Sequence, residues 1–540
     1  MFDHEAEEAA LFLDMLPLLA TLVESRKDGE NDTLLIQQAA SVVIEQFVRS
    51  FCLPLDAPKS NMPEFERALG SMALSMDYFA SSLSNMSFEE WAATGMVVQT
   101  ACSLAICAAS LIRLLKARCI SILPRLMKST RCILSAANNC GSSDVTLKSY
   151  VELVQVSAVR LFTTVADSLP KFMVPYLGAL LAPSLLVPLH AENDTAGVAG
   201  MEKALSKKVP TRQLVPAICK EISVSCKSDK DYDVLLSLLQ MSLENTERAD
   251  LSTVSSHIVK ALFKSYESGQ IDSSNTVMLT MIMKLSEAQL KPIYMRFYEW
   301  QSVSSKHKMA FWSLSASLAK ELKFLFLPCL SPVADDAINE LQLAVSILSR
   351  RKQGKSKKTK VGSVEDLAFL PQMLVCLGNA FQADARQGGS WIRENNDQRY
   401  HSFMEPLAQL LHSKVPSDFP FTDESDALAS PYQRLVVTSL IPTLVSLSAA
   451  AGNDTLWKPL NHSVLQACDD ENSAEVPRAG LKCLHSLMKT LGEEYMVLLP
   501  ECLPTLSELL EADETTAQMA RDCVSLAEDL LGESLEDSLR

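Results

Sequence analysis

With 540 residues, 48% of them apolar and only 17 glycines, the chain can bury a large core and is not a disordered tail. Aromatics at 6% and the abundance of Leu, Ala and Ser favour helices over strands. A net charge of −16 argues against a surface that coats nucleic acid broadly, so RNA contact is expected to be local or made through partner proteins.

In chain order, residues 1–190 read as a first block of helical repeats. The opening Met1-Phe2-Asp3-His4-Glu5 is acidic and the first apolar run contains Asp14, which is not the pattern of a secretory signal. Trp91 to Ile112 carries no charge over 22 residues, long enough to cross a bilayer. It also holds Gln99 and many small or hydroxyl side chains, and a helix buried on all sides in a repeat array is the expectation. Leu104, Ala108, Leu111 and Leu115 fall on one helical face there, as Leu235, Leu238, Leu239 and Leu243 do further on. Residues 191–209 are polar and read as a loop, and 210–349 as a middle block of helices. Residues 350–363 read as a basic flexible linker, and 364–540 as a C-terminal array with an acidic cap from Glu528 to Asp537. Within that array Asp384 to Arg399, with Gly388-Gly389 and Asn395-Asn396, reads as a long loop. Prolines such as Pro124, Pro170, Pro328, Pro442 and Pro500 fall at helix starts or between apolar runs.

The last quarter shows a repeat. Arg434, Arg478 and Arg521 each open an apolar helical run, 44 and then 43 residues apart. Pro459-Leu460 and Pro504-Thr505-Leu506 mark the second helices between them. Upstream, Arg118 and Arg160 are 42 residues apart. Two helices per unit of about 40–47 residues is the HEAT or armadillo signature. The expected fold is therefore all-α, a HEAT/armadillo-type solenoid in which stacked pairs share a continuous core. Leu481, Leu484 and Leu506 are assigned to that core and Lys482 to solvent.

Nothing in the sequence has the spacing of catalytic chemistry. There is no phosphate-binding Walker loop, G-x-S-x-G elbow, H-E-x-x-H helix or dinucleotide motif. His485 is two residues from Cys483, a spacing that points two helical side chains to different faces. Asp469-Asp470-Glu471 reads as a turn between repeats. The 14 cysteines include no C-x-x-C pair and read as small core residues of a reducing compartment. No catalytic residue, cofactor, metal or small-molecule substrate is expected.

The clearest functional signal is Arg350-Arg351-Lys352-Gln353-Gly354-Lys355-Ser356-Lys357-Lys358-Thr359-Lys360, seven cations in eleven residues of an acidic chain. It reads as a nuclear-import segment or a tether for RNA phosphate, against the plainer alternative of a solvated spacer.

The terminal segment carries a resemblance. Trp457-Lys458-Pro459-Leu460-Asn461, then Glu494-Tyr495-Met496-Val497-Leu498-Leu499-Pro500-Glu501, and the ending Leu530-Leu531-Gly532-Glu533, resemble the C-terminal end of the large HEAT-repeat protein family of the small-subunit processome. That family is also called U-three small nucleolar RNA-associated HEAT-repeat protein, or HEAT repeat-containing protein one. The match is specific over about the last 85 residues and looser back to about residue 290. The resemblance implies a nucleolar, non-catalytic scaffold of early ribosome assembly. It would support pre-rRNA transcription, early processing and 18S rRNA maturation within the U-three small nucleolar ribonucleoprotein assembly. Its partners would be other processome proteins, with pre-rRNA and the U-three RNA reached mostly through the complex, and no membrane. A transport or vesicle-coat adaptor built from HEAT repeats is the competing reading, because a solenoid does not fix function.

Overall fold

A computed structural model describes residues 2–24, 31–53, 62–84, 95–139, 145–190, 197–350, 363–413, 415–421, 430–470 and 473–535. Every regular element among them is helical, and they form two compact units, Met1–Leu285 and Ser286–Arg540. The chain thus divides at Leu285, not at the basic run, and the expected middle block 210–349 is split between the units. In each unit, amphipathic helices bury one face by stacking on the next helix but one, giving two layers over a shared core.

In the first unit the helices are α1 Phe2–Glu24, α2 Asn31–Phe47, α3 Met62–Leu83, α4 Gly95–Leu115, α5 Leu123–Asn139, α6 Val145–Ser168, α7 Val198–Lys208, α8 Thr211–Val224, α9 Asp229–Glu244, α10 Arg248–Glu267 and α11 Ile271–Ile282. One layer runs α1, α3, α5, then the short turns Leu177–Leu180 and Pro183–Leu186, then α8 and α10. The other runs α2, α4, α6, α7, α9 and α11. The charge-free stretch becomes α4, which packs against α2, α3 and α6 and buries Leu104, Ala108, Leu111 and Leu115. Helix α7 corrects the loop expected at 191–209. Val198, Met201, Ala204 and Leu205 recur at helical spacing and are buried, a signal masked by the polar residues between them.

The second unit comprises α12 Glu287–Gln301, α13 Ser305–Leu322, α14 Ala334–Arg350, α15 Leu370–Ala385, α16 Gln398–Leu411, α17 Pro431–Ala451, α18 Asp454–Cys468, α19 Glu475–Leu491, α20 Leu499–Leu510 and α21 Glu514–Leu531. Helices α13, α15, α17, α19 and α21 form one layer, and α14, α16, α18 and α20 the other. Leu481, Leu484 and Leu506 are fully buried and Lys482 is exposed, as the arginine register requires.

Local chemistry sets the helix ends. Leu-Pro or Ile-Pro opens the helical segments at Leu327, Leu370, Ile441 and Leu499, where proline lacks an N–H that would have no intrahelical partner anyway. Three preceding turns use a left-handed residue, Lys116, Lys323 or Gly492, at φ 50, 55 and 63°. Within α17 the backbone widens to a π turn over Val436–Leu440, just before Pro442. A proline ring would clash with the carbonyl four residues earlier, and the wider turn relieves that clash. Ser228 with Asp231 and Ser286 with Gln289 form capping boxes at α9 and α12.

Candidate interaction surfaces

The terminal motif turns out to be a packing device. Trp457 and Leu460 are buried, and the Trp457 indole N–H donates to the Ser448 carbonyl at 2.8 Å. Asn461, 1% exposed, is the hub. Its Oδ1 accepts the Tyr495 hydroxyl at 2.7 Å, and its Nδ2 donates to Glu501 Oε2 at 3.3 Å. Burial holds the Tyr495 phenol well above its usual range, so it stays a neutral donor. Lys458, Pro459, Pro500 and Glu501 lie on the exposed side of the same helices. From the next repeat inward, Tyr400 donates to the Leu456 carbonyl at 2.8 Å. The motif residues therefore join α16, α18 and α20 through buried side chains, leaving Lys458 and Glu501 as its solvent-facing charges.

The repeat-marking arginines tie neighbouring helices. Arg478 on α19 pairs through Nη2 with Asp513 at 2.8 Å, and its Nε donates to Thr516 Oγ1 at 3.3 Å at the start of α21. Hydrogen bonds from Thr515 and Thr516, and then Arg478, hold the Asp513 carboxyl well below the usual carboxylate range. Arg160 likewise reaches Glu45 at 2.9 Å, and Arg118 reaches Glu66 at 3.3 Å. Arg434 stacks on Phe421, 4.2 Å from the ring centre.

The long loop after α15 is firmly built. The fully buried Asp384 accepts the backbone N–H groups of Trp391 and Ile392 at 3.0 and 2.9 Å. Arg399 lies 4.7 Å from the Trp391 ring centre, and Gly389 passes so near Ala450 that a Cβ would fall 1.8 Å from its carbonyl oxygen. The loop is where the sequence places it, but the buried carboxylate that orders it carries no local signal.

Two open grooves lie in the second unit. One, of about 400 Å³, runs over α17, α19 and α21, with Val437, Ile441, Val445 and Met519 apolar and Lys482 and Asp522 charged. The other, of about 630 Å³, lies among α12, α13 and α14, with Glu299, Asp336 and the Lys308–Glu340 ion pair beside Trp312. Among the described residues no three His, Cys, Asp or Glu side chains are placed to hold a metal. Cys483 is fully buried, its thiol pushed up to about 12 by desolvation, while His485 is half-buried and lines the first groove. Two helices, Gly95–Cys119 and Pro431–Ala451, are long and apolar enough to cross a membrane by length and composition. In the structure each lies within a stacked layer. Arg351, Lys352, Lys355, Lys357, Lys358 and Lys360 lie outside the described residues; Arg350 ends α14.

Stacked pairs of this kind, with no strand among the described residues, make the chain a HEAT-type helical-repeat protein. The resemblance read from its terminal residues holds, and the chain is related to HEAT repeat-containing protein 1 and to U3 small nucleolar RNA-associated protein 10. Human HEAT repeat-containing protein 1 is 25% identical over 555 residues, covering 97% of this chain and 23% of that protein. The Danio rerio protein of the same name is 25% identical over 80% of this chain and 20% of its own length. U3 small nucleolar RNA-associated protein 10 of Aspergillus oryzae is 29% identical over 50% of this chain and 14% of its length. The chain therefore spans about a quarter or less of each of these relatives. The BP28CT (NUC211) domain matches residues 232–388. Among solved structures, Kap121p bound to Nup53p is similar over 98% of this chain and 51% of that one, at 13% identity and a TM-score of 0.40.

Proposed function

We propose that the chain is a non-catalytic scaffold of ribosome biogenesis, acting in the small-subunit processome of the nucleolus. In that role it supports pre-rRNA transcription, early processing and 18S rRNA maturation as part of the U-three small nucleolar ribonucleoprotein assembly. The observation that carries this reading is similarity over nearly the whole chain to HEAT repeat-containing protein 1, joined by a relative named for its association with U3 small nucleolar RNA. The physical character agrees. Polar side chains such as Asn461 and Asp384 are spent on holding helices together, and the buried thiols are poor nucleophiles. Extended layers of helices present long surfaces to several partners at once.

On this reading the partners are other processome proteins, with pre-rRNA and the U-three RNA held mostly through the complex. The basic run from Arg350 to Lys360 serves nuclear import or nucleolar retention. Purification of a tagged chain, with identification of bound proteins and RNAs, tests the scaffold reading. Enrichment of U-three RNA and processome proteins is expected; recovery of transport receptors or coat components in their place contradicts it. A fluorescent fusion with Lys355, Lys357, Lys358 and Lys360 changed to alanine is expected to spread into nucleoplasm or cytoplasm. If it still concentrates in nucleoli, the run is only a spacer.

A further inference from the structure

Asp and Glu make up 65 of 540 residues, yet residues 91–143 contain none. Within that stretch lie Arg113, Lys116, Arg118, Arg125, Lys128 and Arg131, and all six are exposed. Three of them form a stripe along α5, at steps of three residues, opposite its buried face of Leu126, Met127, Ile133 and Leu134. Among the described residues only Arg118 is in an ion pair, with Glu66 of α3. The other carboxylate that α3 turns toward α5 is Asp77, which accepts a bond from Ser129 at 3.2 Å. The stripe ends in an open groove of about 380 Å³ bordered by Arg131, Ser84, Ser135, Asn139 and Ser184. Tyr78, 55% exposed, stands next to Asp77.

We propose that this face of α5 is a docking track for the phosphate backbone of single-stranded RNA. Helix α5 has 17 residues, so the track is about 25 Å long. Guanidinium and ammonium groups along it neutralise phosphates, the hydroxyl and amide groups at its end donate to phosphate oxygens, and Tyr78 offers a ring for an unstacked base. The side-chain set favours RNA over an acidic protein segment. Hydroxyl and amide donors clustered beside arginine suit tetrahedral phosphate, and the track has little apolar surface with which to grip a peptide. The strong local charge also explains how a chain of net charge −16 could touch RNA without binding it everywhere. The inference rests on the scaffold reading for the presence of RNA nearby, and adds to it a direct contact that the reading itself does not require.

The test is fluorescence anisotropy of a labelled single-stranded RNA with the full chain. The wild type is compared with the triple variant Arg125→Gln, Lys128→Gln, Arg131→Gln and with a control triple, Lys203→Gln, Lys207→Gln, Lys208→Gln, which removes three exposed lysines of α7 in the same unit. Circular dichroism checks that both variants are folded. Three lost phosphate contacts lower the slope of log K against log salt by about 2, and weaken binding roughly 100-fold near 0.1 M salt. The control keeps wild-type binding, and polyglutamate competes poorly. Equal binding by wild type and the α5 variant overturns the proposal, as does competition by polyglutamate as effective as by unlabelled RNA. Either result leaves the scaffold reading intact if the tagged chain still purifies with processome proteins. Loss of those proteins with RNA binding unchanged would sink the scaffold reading and leave this one standing.

Discussion

Along α17, α19 and α21 one layer repeats at marker arginines 44 and 43 residues apart, whereas α2, α4 and α6 begin 64 and then 50 residues apart. Both regions bury one face of each helix on a neighbour, but they resolve the contacts differently. In the terminal pairs the helices come close enough that Gly480 has no room for a side chain. A Cβ there would lie 2.7 Å from Cys468 Sγ and 3.0 Å from the Cys468 backbone nitrogen. Polar groups then lock the stack, with Asn461 between Tyr495 and Glu501 and Arg478 on Asp513. In the first unit Gly70 of α3 meets nothing nearer than Ile122 Cδ1 at 3.9 Å, and the outer face of α5 is given to unpaired cations. The comparison teaches that regular spacing accompanies close, specific packing here. Looser spacing leaves room for surface chemistry that packing does not dictate.

The largest effect expected is in the terminal core. Leu484→Ala removes a fully buried side chain and is expected to cost about 2–5 kcal/mol in thermal or denaturant unfolding. Lys482→Ala, two residues away and exposed, stays within about 0.5 kcal/mol. A neutral Leu484→Ala would break the comparison by showing that the terminal register is wrong.

Next comes the polar lock. Asn461→Ala strands the buried Tyr495 hydroxyl and is expected to cost about 1–3 kcal/mol. Adding Tyr495→Phe removes the stranded group and is expected to recover part of the loss. If the double change is as unstable as the single one, the bond is incidental to the packing.

The smallest effect is electrostatic. The Asp513 carboxyl is held below its unfolded pKa of about 3.9, so its contribution is fully present above that value. The contribution is lost as pH falls below about 4 toward the lower folded value. Asp513→Asn is therefore expected to change stability little on acidification through this window, where the wild type weakens. The same acid sensitivity in both proteins would show that the Arg478 tie is a surface contact without consequence.

How far the sequence reveals this architecture depends on the range of the interaction. The helical class and the terminal register were legible because Arg434, Arg478 and Arg521 recur at one period and the leucines beside them keep helical spacing. The Cys483 and His485 assignment followed from helix geometry alone. Helix α7 was hidden because Lys, Glu and Ser outnumber its few apolar residues in a short segment. The roles of Asn461 and Asp384 could not be read locally. The first is defined by a tyrosine 34 residues on, and the second by a backbone turn that folds back onto it. The α5 stripe was present in the sequence, but its charges are separated by buried leucines and do not form a run as those from Arg350 to Lys360 do.

The contrast between close and open packing is tested most directly by one paired measurement, the unfolding free energies of Gly480→Ala and Gly70→Ala in the full chain. At position 480 the added methyl meets backbone and sulfur atoms of α18, and a loss of about 1–3 kcal/mol is expected. At position 70, inside α3, it meets ordinary contact distance, and the better helix former is expected to add roughly 0.5–1 kcal/mol. Opposite signs support the account. Changes of the same sign, or a neutral Gly480→Ala, would contradict it.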